Sequence, residues 1–173
     1  MLYQDECSLY RQPSQGWLWA SMGRRQPRIS FAAKGNTRTR VIGALNAITG
    51  AVHHQQTWVV DRRTYGRFVL AAAKHYPAAT KIYVIGDNWP VHTHPDAQAL
   101  LAQDPRIEWV SLPTYAPWLN PIEKVWRWLR QTLVHAHPYA DDFHLFKQRI
   151  TETLDWLAHD PELILRYTGL MDE

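Results

Sequence analysis

Lys81-Ile82-Tyr83-Val84-Ile85-Gly86-Asp87, an apolar run stopped by an acid, is the stretch on which the fold turns. Continuous runs of this kind suit a strand buried on both faces, as in a parallel sheet. Upstream, Tyr65, Phe68, Val69, Ala72 and Tyr76 recur at helical spacing, led in by Asp61 to Thr64 and stopped by Pro77. Downstream, Pro95 to Gln103 read as a short helix and Ile107 to Leu112 as another strand. Further toward the N-terminus, Arg40 to Asn46 and Ala51 to Val60 flank Ala47-Ile48-Thr49-Gly50, a hairpin in which Gly50 supplies positive φ. Residues 1–10 form a first strand. After Pro13 to Gly16, Trp17-Leu18-Trp19 offers a short second strand, and residues 21–39 read as a basic loop with one strand near Ile29 to Phe31.

Toward the C-terminus, Asn120 is placed to cap a helix with Pro121 in its first position. Ile122, Val125, Trp126, Leu129 and Leu133 make its buried stripe. Asp141 is read as the cap of the last helix, whose stripe is Phe143, Phe146, Ile150, Leu154 and Leu157. Three strands, then alternating helices and strands, then two helices describe an α/β mixed sheet flanked by helices. Residues 1–173 are read as a single domain.

Composition narrows the class. No apolar run approaches the ~20 residues that a membrane span needs. Cys7 is the only cysteine, which rules out an internal disulfide and points to a cytoplasmic location. Residues 1–40 carry seven Lys or Arg against two acids, whereas residues 141–173 carry three against eight. A basic front beside an acidic tail fits a polyanion-binding face, though ordinary surface charge explains it as well.

Three acids stand out by position. Asp5 lies in a strand that otherwise reads as core, Asp87 ends the most hydrophobic strand, and Glu123 opens a helix. Ligands of open α/β sheets bind beyond the carboxyl ends of strands. Each acid also has a plain structural reading. Asn120 and Glu123 have nearly the spacing of a capping box, and Glu123 stands four residues before Arg127. Asp87 fits a turn that closes on its own backbone, and Asp5 a satisfied strand acid. Glu6 should face away from Asp5, because strand side chains alternate.

Asp5-Glu6 on the first strand, Asp87-Asn88 with His92 after a buried strand, and Leu112-Pro113-Thr114-Tyr115-Ala116-Pro117-Trp118-Leu119-Asn120-Pro121-Ile122-Glu123 together resemble the DDE transposases of bacterial insertion sequences allied to the mariner superfamily. The 36 positions from Asp87 to Glu123 match that family's spacing, and Gly43-Ala44-Leu45 and Thr49-Gly50 add to the likeness. The resemblance implies a ribonuclease H-like fold and divalent-metal-dependent DNA cleavage and strand transfer. It makes Asp5, Asp87 and Glu123 the catalytic, metal-binding acids for Mg²⁺ or Mn²⁺, with two ions when DNA is bound. The implied partners are double-stranded DNA (element ends and target) and further copies of the chain or a separate DNA-binding chain, near the bacterial nucleoid. Family members carry a helix-turn-helix region ahead of the first acid. With the first acid at residue 5, this chain is expected to be without that region, which sets sequence-specific DNA binding apart from what the resemblance implies for it.

Other residues are candidates for supporting roles. Asn88 is placed to orient Asp87 by a hydrogen bond, and His92 to position DNA or a water beside it, unless His92 is a surface histidine. Arg127 and Arg130 share a helix flank with Glu123, where they either hold phosphates or are simply solvated. Arg24, Arg25, Arg28, Lys34, Arg38 and Arg40 suit a DNA-contacting loop. Trp89, Trp118 or Trp128 suit stacking on unpaired bases, although most of the nine tryptophans should be core. Zinc is disfavoured, since the paired histidines have no ligand frame around them. Two other readings remain: a non-catalytic DNA-binding or assembly module, and a general nuclease on the same fold.

Overall fold

The computed structural model describes residues 1–14, 22, 29, 31, 36–114 and 116–171. Among them, five strands form one sheet in the order β3-β2-β1-β4-β5: β1 (Leu2–Tyr10), β2 (Arg38–Asn46), β3 (Val52–Thr57), β4 (Ile82–Gly86) and β5 (Ile107–Ser111). β1 pairs antiparallel with β2 and β2 with β3, whereas β4 runs parallel to both β1 and β5. The mixed, ribonuclease H-like sheet expected from the sequence is present. The short strand read at Trp17 to Trp19 lies outside the described residues, as do Arg24, Arg25, Arg28 and Lys34 of the basic loop; of the strand read near Ile29 to Phe31, Ile29 and Phe31 are described and are not in a strand.

Alternation along β1 sorts its side chains between two cores. Leu2 joins Ile42, Ala44 and Val84 under α1 (Arg62–Ala73) and α3 (Pro95–Leu101). Cys7 and Leu9 join Val41 and Leu45 under α4 (Ile122–Leu129), α5 (Phe143–Ala158) and α6 (Pro161–Thr168). A single turn, α2 (Pro90–Thr93), lies between β4 and α3. The central strand therefore presents odd-numbered residues to one helical layer and even-numbered residues to the other.

Several local expectations shift. Asp142, not Asp141, caps α5, its Oδ1 accepting the Leu145 N–H at 2.9 Å. Asn120 does not cap α4 through its side chain. The amide instead donates from Nδ2 to the Gln4 carbonyl at 3.0 Å, fastening the start of α4 to β1. The Asn120 N–H donates to Pro117 O, so no capping box with Glu123 forms. α1 ends at Ala73, before Tyr76, which closes a turn by donating to the Ala73 carbonyl. After Leu129 the helix widens into a π segment over Arg130–Val134, with the His135 N–H reaching Arg130 O at 3.0 Å. α6 was not foreseen, although Asp160, Pro161 and a left-handed Gly169 mark both of its ends.

Gly50 has φ +73° in the β2–β3 turn, as the hairpin demands. Gly43 serves a different end. A Cβ there would stand 2.5 Å from Cη2 of Trp126, so only glycine lets that indole lie flat on the sheet. Trp126, Ile122, Val125 and Leu129 are all buried, each side chain contributing about 1.5–3 kcal/mol.

On β3, His53 meets the Tyr76 hydroxyl at 2.8 Å and lies 4.6 Å from the His75 ring. Burial, with His75 and His54 close by, pushes its pKa down to about 4. In the unfolded chain His53 takes up a proton near its ordinary pKa of 6.5, while the folded state resists. Its contribution is therefore complete above about pH 6.5 and is lost as pH falls toward 4. Thermal unfolding between pH 7 and 4 should show this loss, and His53→Gln should flatten it.

Candidate active site

The parallel register pairs Tyr3 with Ile85 across β1 and β4. Two residues further along come Asp5, in the middle of β1, and Asp87, just past the carboxyl end of β4, the end where ligands of such sheets bind. Asp5 falls on the odd face of β1 and therefore looks toward α4. The Asn120–Gln4 bond brings the first turn of α4, carrying Glu123, over the same spot. Asp5, Asp87 and Glu123, from three separate elements, line one cavity of about 310 Å³. Leu112, Pro113, Thr114 and Pro117 of the segment after β5 form its rim.

Electrostatics at this spot are unbalanced. Burial, reinforced by the negative charges of Glu123, Glu6 and Asp87, pushes the Asp5 carboxyl up to about 8. Its Oδ2 accepts one hydrogen bond, from Nε1 of Trp126 at 3.0 Å. Asp87 behaves oppositely: the hydrogen bond from His92, aided by the Trp89 N–H at 3.1 Å, holds it below the usual carboxylate range. His92 is fully buried, not at the surface. Burial alone would lower its pKa, but the bonds to Asp87 and Glu6 outweigh that and raise it to about 10. Among the described residues, no three Asp, Glu, His or Cys side chains close into a metal cage. The acids share a wall with repelling charges, and the described residues that line the cavity include no Lys, Arg or His.

The sequence profile of the DDE superfamily endonucleases matches residues 1–145. The chain belongs to this family. The chain is 26% identical, over 148 residues, to the insertion element IS630 uncharacterized 39 kDa protein of Shigella sonnei. That alignment covers 86% of the chain and 43% of the relative, so the chain spans less than half the length of the curated relative it matches. In fold it is similar to the Mos1 mariner paired end complex with Mn, with a TM-score of 0.71 and 15% identity over 97% of the chain and 51% of the other. The Mos1 transposase catalytic domain solved with Raltegravir and Mg gives a TM-score of 0.65 and 14% identity over 97% and 76%.

The residues expected in supporting roles fall into place unevenly. Asn88 does not orient Asp87. Its Nδ2 donates to Leu112 O at 2.8 Å, tying the end of β4 to the end of β5. Arg127 and Arg130 do flank Glu123, in a groove that shares Pro117, Asn120 and Glu123 with the cavity. Both are exposed, while Lys124, about one turn before Arg127 and lining the same groove, donates to the Thr168 carbonyl at the end of α6, at 2.8 Å. Trp118, 76% exposed, stands in the same groove. Trp128 instead stacks on Trp156, and Trp89 packs edge-on to His92. Trp126 escaped notice as a site residue, because its bond to Asp5 depends on Gly43 in the neighbouring strand.

Proposed function

We propose that this chain is the catalytic core of a transposase, which cuts DNA and joins strands with the help of divalent cations. The observation that carries this reading is the meeting of Asp5, Asp87 and Glu123 on one cavity wall. The donor set fits Mg²⁺ or Mn²⁺: hard carboxylate oxygens, too few for a full cage, leaving places for water and phosphate. The upward push on Asp5 comes first from burial and then from the neighbouring charges of Glu123, Glu6 and Asp87, and a cation relieves both.

Asp5 would hold the ion through Oδ1, since Oδ2 is engaged by Trp126, and Asp87 through Oδ2, since Oδ1 receives Trp89 and His92. Glu123 would close the set from the first turn of α4. Two ions bound there would charge the attacking oxygen and stabilise the leaving one. In cleavage, a water oxygen forms the new bond to phosphorus and the 3′ oxygen departs with the bonding electron pair. In joining, that 3′-hydroxyl attacks a phosphodiester of target DNA and displaces its 3′ oxygen. The protein's own work is positioning and electrostatics, with no covalent protein intermediate.

Double-stranded DNA is the proposed partner, both element ends and target. Assembly of several copies, or with a separate DNA-binding chain, is proposed from the paired-end state in which Mos1 was solved. Arg127 and Arg130 would hold the phosphates of the strand leaving the cavity, and Trp118 would stack on a base there. Substituting both arginines by alanine should weaken DNA binding. It should also flatten the salt dependence by about one unit of log–log slope per lost phosphate contact. Fluorescence anisotropy across a salt series measures this, and an unchanged slope excludes the two arginines from the interface.

The test of the whole reading is nicking of supercoiled plasmid by the chain with Mn²⁺. Nicking that requires Mn²⁺ and stops with a chelator is expected. Absence of both nicking and calorimetric Mn²⁺ binding would sink the proposal.

A further inference from the structure

We infer that Glu6 is a positioning residue for Asp87, acting through His92 from the opposite face of the sheet. The inference rests on the reading of Asp5, Asp87 and Glu123 as the cation-holding acids.

Glu6 is the immediate neighbour of Asp5, yet it does not line the cavity. Alternation along β1 turns it toward the layer of α1 and α3, where it meets the imidazole of His92. Nε2 of His92 donates to Glu6 Oε1 at 3.1 Å, and Nδ1 stands 3.1 Å from both the carbonyl O and Oδ1 of Asp87. Each ring nitrogen thus faces an oxygen, and both must be donors to satisfy the pair.

The surroundings leave the ring little freedom. Tyr65, Trp109 and Trp89 lie 4.6, 5.0 and 5.5 Å from it, centroid to centroid. Its backbone carbonyl takes the Gln98 amide at 2.6 Å, and Gln4 donates to the same Glu6 oxygen at 2.8 Å. His92 has no exposed surface, so it touches neither DNA nor solvent. What it does is fix one carboxylate oxygen of Asp87, leaving the other toward the cavity. Removal of the Glu6 acceptor would leave Nε2–H unpaired inside an aromatic cage, where an unmet donor is costly. The ring would then turn or tilt to find a partner, and Asp87 would lose its fixed orientation. Partners behind a ligand commonly tune metal affinity by about 10–100-fold, although they never touch the ion.

The experiment is a double-mutant cycle on the full chain, read by Mn²⁺ affinity from calorimetry and by thermal unfolding without metal. The variants are Glu6→Met, which removes both acceptor oxygens, His92→Asn, their combination, and Asp87→Asn as reference. Glu6→Met should weaken Mn²⁺ binding by about 10–100-fold, and the combination should bind no more weakly than His92→Asn alone. Glu6→Gln, which keeps an accepting oxygen, should recover part of the affinity. Glu6→Leu takes the place of Glu6→Met in the cycle if that variant does not fold. Wild-type affinity in Glu6→Met, with affinity lost in Asp87→Asn, overturns this inference alone. Fully additive effects also overturn it, since Glu6 would then act independently of His92. A wild-type chain that binds no Mn²⁺, or Asp87→Asn that binds normally, overturns the metal-site reading and this inference with it.

Discussion

Asp5→Asn, Asp87→Asn and Glu123→Gln should each lower Mn²⁺-dependent nicking by roughly 10²–10³-fold or more, the scale on which single electrostatic contributors to a transition state are felt. Each change swaps one oxygen for an amide nitrogen, so shape is kept while charge and one donor oxygen are lost. The three acids come from β1, the end of β4 and α4, and none substitutes geometrically for another. Combining two changes should therefore cost little more than one, as expected for groups that act as a unit. Stability should move the other way. The cavity wall carries repelling carboxylates, and Asp5→Asn removes one of them while its side-chain oxygen still accepts from Trp126. Unfolding of that variant without metal should occur no lower than in the wild type. A variant that melts early would tie its lost activity to the fold and not to the chemistry.

The largest loss of stability is expected from Trp126→Ala, about 3–5 kcal/mol, the range for truncating a buried aromatic. Trp126 is fully buried against Gly43 and the α4–α6 core, so a hollow would open directly beneath the site. The change also takes away the hydrogen bond that Asp5 receives from the indole. Trp126→Phe separates the two effects, because it keeps most of the apolar bulk and removes only the N–H. Denaturant unfolding should place it well above the alanine variant, and equal midpoints for the two would mean that the indole N–H carries the stability.

How much of this could be read from the chain depends on how local each signal is. β4 and Asp87 were legible because an unbroken apolar run that stops at an acid marks both a strand and its end, although the strand is not buried on both faces throughout: Tyr83 is exposed. Glu123 was legible only through the motif before it. Its local surroundings argued for a capping box, which the structure replaces with the Asn120–Gln4 bond across the sheet. The opposite facing of Asp5 and Glu6 followed from alternation, but the partner of Glu6 did not, since His92 is 86 positions away. Trp126 read as one more core aromatic, because its hydrogen bond to Asp5 depends on which residue of β2 lies opposite. Asp141 and Asp142 compete for one cap, and sequence position alone does not choose between adjacent acids. α6 is only eight residues long, too short for its stripe to stand out, although its end signals were present.

The adjacency of Asp5 and Glu6 also bears on folding fidelity. A slip of β1 by one residue would carry both acids to the opposite faces of the sheet, yet a carboxylate would still stand in one of the two places: Glu6 where Asp5 was, or Asp5 where Glu6 was, with Cys7 or Gln4 filling the other. Charge pattern there rejects the wrong register only in part. The rest of the rejection comes from the strand itself, where Leu2, Cys7 and Leu9 would leave their cores, and from Gly43, the one notch on β2 that admits Trp126 opposite Asp5. A glycine that carries no chemistry thus acts as the ruler against which the catalytic strand is aligned.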